Sequence, residues 1–261
     1  SETAAFITAL NASNLPVVSL DIPSGVFADT GAVSPATIKA DLTVTFCRPK
    51  PAHFLYPAKE YVGDLTVCPI GIADETVANQ QPRFIVNPPF KLPAPIPCDH
   101  KYSRGAVLVA GGQMTGAARL AARAARRFGA GLVKVVCAPE NALPYTVGDA
   151  GLVVSTEPLE TAVRDKKISS IAFGMGFGLS ERTKAALETV AKSGKPFVAD
   201  ADALAYVKDV APLTNAVLTP HEGEFARLFP DLKGDKLSRA LTAAETLGCV
   251  VVLKGADTVI A

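Results

Sequence analysis

The chain has 261 residues, 49% of them apolar and 20% charged, and a net charge of +1. These values suit a packed globular protein of one large or two smaller domains and exclude a disordered chain; they give no reason to expect nucleic acid or a membrane as partner, and no apolar run approaches the roughly 20 residues of a membrane helix. Five cysteines (Cys47, Cys68, Cys98, Cys137, Cys249) and three histidines (His53, His100, His221) lie scattered, which argues against a disulfide framework or a zinc site and for a reducing, cytoplasmic compartment.

The first segment, to about Asp74, reads as strands in quick succession after a weak helical pattern at the N-terminus. Residues 15–20 form a short apolar run ending at Asp21, residues 41–46 alternate β-formers, and 63–72 contain a third run. From residue 78 to 99 the character changes, with Pro82, Pro88, Pro89, Pro93, Pro95 and Pro97 close together. Such a stretch cannot run as a helix or central strand, so it is predicted to be an extended linker and domain boundary. The expected division is 1–77, 78–99 and 100–261.

After Ser103 strands and helices alternate. Strands are predicted at 106–110, 132–137, 168–173, 196–199, 216–218 and 249–253, and helices at 116–128, 180–193, 222–228 and 236–247. Alternation of this kind implies βαβ units and a mostly parallel sheet. The expected fold class is α/β, as two three-layer αβα domains.

In open α/β sheets ligands gather at the carboxyl ends of strands. Leu20-Asp21-Ile22-Pro23-Ser24-Gly25 puts a carboxylate and a hydroxyl at such an end, although a self-capping turn explains it equally. Gly111-Gly112 followed by Thr115-Gly116-Ala117 presents helix N-terminal N–H groups, which suit an anion; the spacing is not the dinucleotide fingerprint. Arg119, Arg123, Arg126 and Arg127 on that helix read either as phosphate contacts or as a solvated basic face. Gly174, Gly176 and Gly178 alternate after an apolar strand and fit close approach to a ligand or tight packing. Asp200 and Asp202 at a strand end read as partners of a hydroxyl or metal, as groups that orient a loop, or as a helix cap. His221, within Thr219-Pro220-His221-Glu222-Gly223-Glu224, reads as a substrate-orienting or proton-transferring group, while Thr219 and Glu222 fit a helix start equally well. Lys254-Gly255-Ala256-Asp257-Thr258 offers donors suited to a nucleotide, or a charged hairpin turn.

Taken together, these segments resemble the bifunctional NAD(P)H-hydrate repair enzymes. Residues 15–72 are similar to the second half of the epimerase domain, through Val-Val-Ser-Leu-Asp-Ile-Pro-Ser-Gly at 17–25, Ala28-Asp29-Thr30-Gly31, the 39–46 segment and Gly63-Asp64-Leu65. Residues 100–261 are similar to the ribokinase-like dehydratase domain. The carrying motifs are His100-Lys101-Tyr102-Ser103-Arg104-Gly105, Thr115-Gly116-Ala117, Gly129-Ala130-Gly131-Leu132-Val133, Asp200-Ala201-Asp202-Ala203-Leu204, the 219–224 segment and Leu253-Lys254-Gly255.

The resemblance implies interconversion of the R and S hydrates of NADH or NADPH, and ADP- or ATP-dependent dehydration of the S hydrate. Asp21, Ala117, Gly176 (of the Gly174/Gly176/Gly178 set) and His221 match hydrate contacts. Ser24 matches a potassium ligand, and Lys254, Gly255, Ala256, Asp257 and Thr258 match part of the nucleotide site. Magnesium, potassium and an adenine nucleotide are the implied cofactors, and a homo-oligomer is expected. The family's phosphate loop precedes the Asp-Ile-Pro-Ser-Gly turn, and its catalytic aspartate follows the Lys-Gly hairpin, beyond Ala261. This stretch is therefore expected to hold neither site complete and to be inactive by itself. A ribokinase-like kinase of a small alcohol and a non-catalytic nucleotide-binding protein are the alternatives.

Overall fold

The structure, a computed structural model, describes residues 2–80, 82–147 and 149–261. The chain forms two compact units: residues up to Phe90 with Gly234–Leu237, and Lys91–Lys233 with Ser238–Ala261. Gln81, within the predicted linker, lies outside the described residues.

The first unit contains α1 (Glu2–Asn11), β1 (Val18–Leu20), β2 (Leu42–Phe46), α2 (Lys59–Val62), β3 (Asp64–Cys68) and α3 (Asp74–Ala78). Its strands pair in parallel in the order β1-β2-β3, with Val18 opposite Leu42 and Leu42 opposite Asp64. The buried positions of β2 are Thr43 and Thr45, both without solvent exposure. β-Branched threonine fits a strand, but a buried hydroxyl needs a partner. Thr43 Oγ1 donates to Val62 O at 2.6 Å, while Thr45 Oγ1 donates to the Asp21 carboxylate at 2.9 Å. The interior of this sheet therefore carries hydrogen bonds toward the strand ends.

The second unit runs β4 (Ala106–Ala110), α4 (Thr115–Arg127), β5 (Leu132–Val136), α5 (Ala142–Thr146), β6 (Val153–Ser155), α6 (Leu159–Ala162), β7 (Ser170–Phe173), α7 (Glu181–Lys192), β8 (Phe197–Ala199), α8 (Val207–Val210), β9 (Ala216–Leu218), α9 (Glu222–Leu228), α10 (Lys236–Leu247), β10 (Val250–Leu253) and β11 (Val259–Ile260). Eight strands form one sheet in the order β11-β10-β9-β8-β7-β4-β5-β6, parallel except where β11 pairs antiparallel with β10. Both faces are covered. Leu108, Ile171 and Phe173 pack with Leu187 and Val190 of α7 on one side, and Val109, Val133 and Val135 with Ala118 and Ala122 of α4 on the other. Ala118 and Ala122 stand one helical turn apart, so a single stripe of methyl groups seats α4 on the sheet.

Strands β6 and β11 and the short helices α5, α6 and α8 go beyond the predicted elements. Each is five residues or fewer, too short to show a period of its own. Among the described residues no helix is long and apolar enough to cross a membrane.

From β4 the chain moves through β5 to β6 on one side, then returns to β7 on the other. The reversal opens a crevice between β4 and β7, the place where doubly wound sheets bind ligands. There the two exit turns touch backbone to backbone: Met114 N–H donates to Gly176 O at 3.2 Å. A Cβ on Gly112 would stand 2.0 Å from Gly176 O, and one on Gly176 (φ +73°) would stand 2.3 Å from Met114 O. No side chain fits at either position.

Gly112→Ala is expected to destabilise the chain by about 1–3 kcal/mol through overpacking. Gly116→Ala, whose Cβ would meet nothing within 4 Å, is expected to be neutral or stabilising by up to about 1 kcal/mol. Urea unfolding followed by circular dichroism compares them; equal stability of the two variants would contradict the packing account.

Candidate functional site

The segments singled out in the second unit leave β4, β7, β8, β9 and β10, which are consecutive neighbours in the sheet. Because these strands are parallel, all five exits reach the same rim. Backbone and side-chain bonds stitch them together. Gly178 N–H donates to Asp202 Oδ2 at 2.8 Å, joining the β7 and β8 exits. Lys254 N–H donates to Pro220 O at 2.8 Å, joining β10 to β9. The Lys254 ammonium donates to Asp200 Oδ1 at 3.0 Å, past the end of β9.

Several residues settle between their alternative readings here. Asp200 precedes the 3₁₀ helix Ala201–Tyr206 but makes no side-chain cap; its carboxylate holds Lys254 instead. His221 is the N-cap of α9. Its Nδ1 accepts from Gly223 N–H at 3.0 Å and Glu224 N–H at 3.2 Å, while Glu224 Oε2 accepts from His221 N–H at 2.8 Å. A ring held by Nδ1 in this way carries its proton on Nε2, so His221 can donate to a ligand and can act as a base only by releasing the cap. Its side chain is 56% exposed.

Thr258 Oγ1 accepts from Gly255 N–H at 3.2 Å and donates to Gly255 O at 2.9 Å. Lys254-Gly255-Ala256-Asp257-Thr258 is thus a self-closed turn joining β10 and β11, with Gly255, Ala256 and Thr258 exposed. Ala117 is exposed on the first turn of α4. The basic face of that helix turns elsewhere: Arg119 donates to Val147 O and Arg126 pairs with Asp149.

Sequence reasoning missed Tyr145. Its ring fills the space where a Gly111 side chain would stand, and its hydroxyl donates to Gly112 O at 3.0 Å. Burial pushes this phenol up to about 12, so it serves as a donor throughout the physiological range. The His100–Gly105 motif is structural. Arg104 Nε donates to Gly129 O at 3.2 Å and its guanidinium pairs with Asp99, tying the lead-in of β4 to the turn before β5.

In the first unit Asp21 lies just beyond β1, with φ +64°. Its N–H donates to Val44 O at 2.8 Å. Carboxylate Oδ1 accepts from Thr45 Oγ1 at 2.9 Å, Phe46 N–H at 3.2 Å and the Lys50 ammonium. Oδ2 takes no partner among the described residues. Burial pushes this carboxyl up, but Lys50, the Phe46 N–H and Thr45 outweigh it and hold the group below the ordinary carboxylate range. The buried His53 completes the cluster through Nε2, 2.9 Å from Asp21 O, and Nδ1, which accepts from Lys50 N–H at 2.9 Å. Burial depresses its imidazole, against the opposing bond to Asp21. Lys50 and His53 carried no recognised signal, and Thr45 stood out only as part of the 39–46 segment. Parallel pairing of β1 and β2, which sets the residues just past Phe46 beside Asp21, is the clue that finds them.

Ser24 is exposed, and its hydroxyl takes no partner among the described residues. No three His, Cys, Asp or Glu side chains among those residues converge as a metal site.

Residues 106–261 match the model of the NAD(P)H-hydrate dehydratase family, and residues 1–52 match that of the YjeF-related protein N-terminus. The bifunctional NAD(P)H-hydrate repair enzyme of Escherichia coli K12 is 35% identical over 263 residues, covering 96% of this chain and 51% of that enzyme. The chain spans about half the length of the curated relatives it matches. Among solved structures, the ADP/ATP-dependent NAD(P)H-hydrate dehydratase of Bacillus subtilis, co-crystallised with ATP and Mg2+, superposes with a TM-score of 0.56 at 29% identity, covering 65% of each chain. A ribokinase-like protein of Enterococcus faecalis gives 0.58 at 24% identity, over 65% of this chain and 64% of that one, and supports the fold alone.

The ionised Asp21 stabilises the fold above the carboxylate range, and that stability fades as pH falls and the carboxyl takes a proton. Lys50→Met is expected to raise the Asp21 titration and to lower stability at neutral pH by roughly 0.5–1 kcal/mol, since the pair is partly exposed. The difference between variant and parent should shrink between about pH 5 and pH 2. Urea unfolding across that range checks this, and a difference independent of pH would refute it.

Proposed function

The chain belongs to the NAD(P)H-hydrate dehydratase family, and from that premise we propose that the β10-β9-β8-β7-β4 rim takes the S hydrate of NADH or NADPH beside ADP or ATP. The carrying observation is that all five glycine, acidic, histidine and lysine segments leave consecutive parallel strands at one edge. In the proposed reaction the hydrate hydroxyl gives up its proton to solvent as its oxygen attacks the terminal phosphorus of the nucleotide, and the shortened nucleotide departs. The new phosphate ester then breaks its C–O bond, releasing inorganic phosphate with loss of a ring proton to solvent, which restores the reduced nicotinamide. Such chemistry depends on positioning and charge neutralisation more than on covalent catalysis.

Each residue supplies a part of that. Lys254 and the exposed Gly255–Thr258 turn border the phosphates. The first turn of α4 at Ala117 and the Gly176 turn border the hydrate in the crevice. His221 donates from Nε2 to orient it.

In the first unit the proposed activity is interconversion of the R and S hydrates. Asp21 supports this reading: its Oδ1 is fully engaged, which leaves Oδ2 to accept from a hydroxyl or amide of the hydrate. Ser24 is the proposed potassium contact, but one hydroxyl is far from the six or so oxygens a hard cation takes. Asp200 Oδ1 and Asp202 Oδ2 are taken by Lys254 and Gly178, and among the described residues no third His, Cys, Asp or Glu side chain joins the two carboxylates to complete a magnesium site. The five free cysteines support a reducing compartment.

Nucleotide-dependent recovery of reduced-nicotinamide absorbance from S-form NADH hydrate, by the protein carrying these residues, tests the proposal. Lys254→Met is expected to raise the KM for ADP or ATP by about 10-fold or more, the worth of one charge-assisted hydrogen bond. Phosphorylation of a small alcohol without hydrate turnover would replace this reading with that of a ribokinase-like kinase.

A further inference from the structure

The Asp21–Lys50 pair joins two residues 29 positions apart. Parallel pairing of β1 and β2 brings their segments together, and a single side chain then ties the two backbones. His53 Nδ1 accepts from Lys50 N–H at 2.9 Å, so its proton sits on Nε2, which donates to Asp21 O at 2.9 Å. One imidazole therefore bridges the backbones of both members of the pair. The ring is only 2% exposed and both its nitrogens are occupied, so it neither touches a ligand nor moves a proton.

Asp21 needs such a bridge. A φ of +64° is uncommon for any residue but glycine and persists only when its surroundings over-determine it. The Asp21 N–H is fixed by Val44 O and its carbonyl by His53. With both held, the side chain leaves the backbone toward Thr45, Phe46 and Lys50, and every one of those contacts falls on Oδ1.

We propose that His53 is a positioning residue: it locks Asp21 in the left-handed conformation and sets Lys50 beside it, so that Oδ1 is anchored and Oδ2 is turned to the ligand. This rests on the reading of Asp21 as the hydrate contact. The bond to the Asp21 carbonyl is the decisive one, because it acts on the residue whose backbone is least able to hold itself.

The test follows the Asp21 carboxyl by carbon-13 NMR titration of the full chain, without any hydrate. The variants are His53→Asn, His53→Gln and His53→Leu. Asparagine keeps an acceptor where Nδ1 stands but cannot reach Asp21 O; glutamine keeps a donor where Nε2 stands. His53→Asn and His53→Leu are expected to raise the proton affinity of Asp21 by about two- to fivefold toward that of Lys50→Met, with circular dichroism unchanged. His53→Gln should restore most of the parent titration. If His53→Leu fails to fold, the asparagine and glutamine variants still decide. A parent-like Asp21 titration in folded His53→Asn would overturn the proposal while leaving the Asp21 reading intact. That reading falls separately if Asp21→Asn leaves hydrate interconversion unchanged.

Discussion

Strands that pair in parallel must leave their sheet at the same edge, so β4, β7, β8, β9 and β10 deliver five successive turns to one rim, and β1 and β2 do the same in the first unit. The rest of the chemistry depends on that constraint. It brings Asp200 within reach of Lys254, 54 positions later, and Asp21 within reach of Lys50. It also explains why glycine is needed at the β4–β7 crevice, where two turns that exit side by side share space for backbone only.

Parallel pairing also decides what a sequence reveals. Covered on both faces, β4 and β9 are near-continuous apolar runs, and their predicted bounds of 106–110 and 216–218 agree with Ala106–Ala110 and Ala216–Leu218. Helices α9 and α10 likewise match at 222–228 and 236–247, because each carries a full helical period. What stayed hidden depends on a neighbour across the sheet. Nothing along 47–53 announces that Lys50 and His53 face Asp21. The sequence points to Thr219 and Glu222 for the start of α9, whereas the cap is His221 with Glu224, because which nitrogen of a ring is taken becomes visible only once the backbone N–H groups around it are placed. The α4 arginines read as phosphate contacts or as a solvated face, and the structure gives a third outcome for two of them, which tie down the segment after α5.

The two units build their strand ends by different means. The second covers its sheet with aliphatic side chains and keeps polar groups at the rim. The first places Thr43 and Thr45 inside and satisfies them with Val62 and Asp21. A buried hydroxyl without its partner costs about 1–3 kcal/mol, so the first unit's stability and the orientation of its carboxylate are tied to the same bonds. Loss of that orientation would be felt as loss of stability, an economy that an apolar interior does not impose.

The Asp200–Lys254 bond has a consequence of its own. One of the three N–H donors of the ammonium is taken by a carboxylate at 3.0 Å, which leaves the other two aimed from a fixed point past the end of β9. The carboxylate also offsets the positive charge locally. The exit of β10 thus presents directed donors rather than a bare cation, and the long lysine side chain is ordered before any partner arrives.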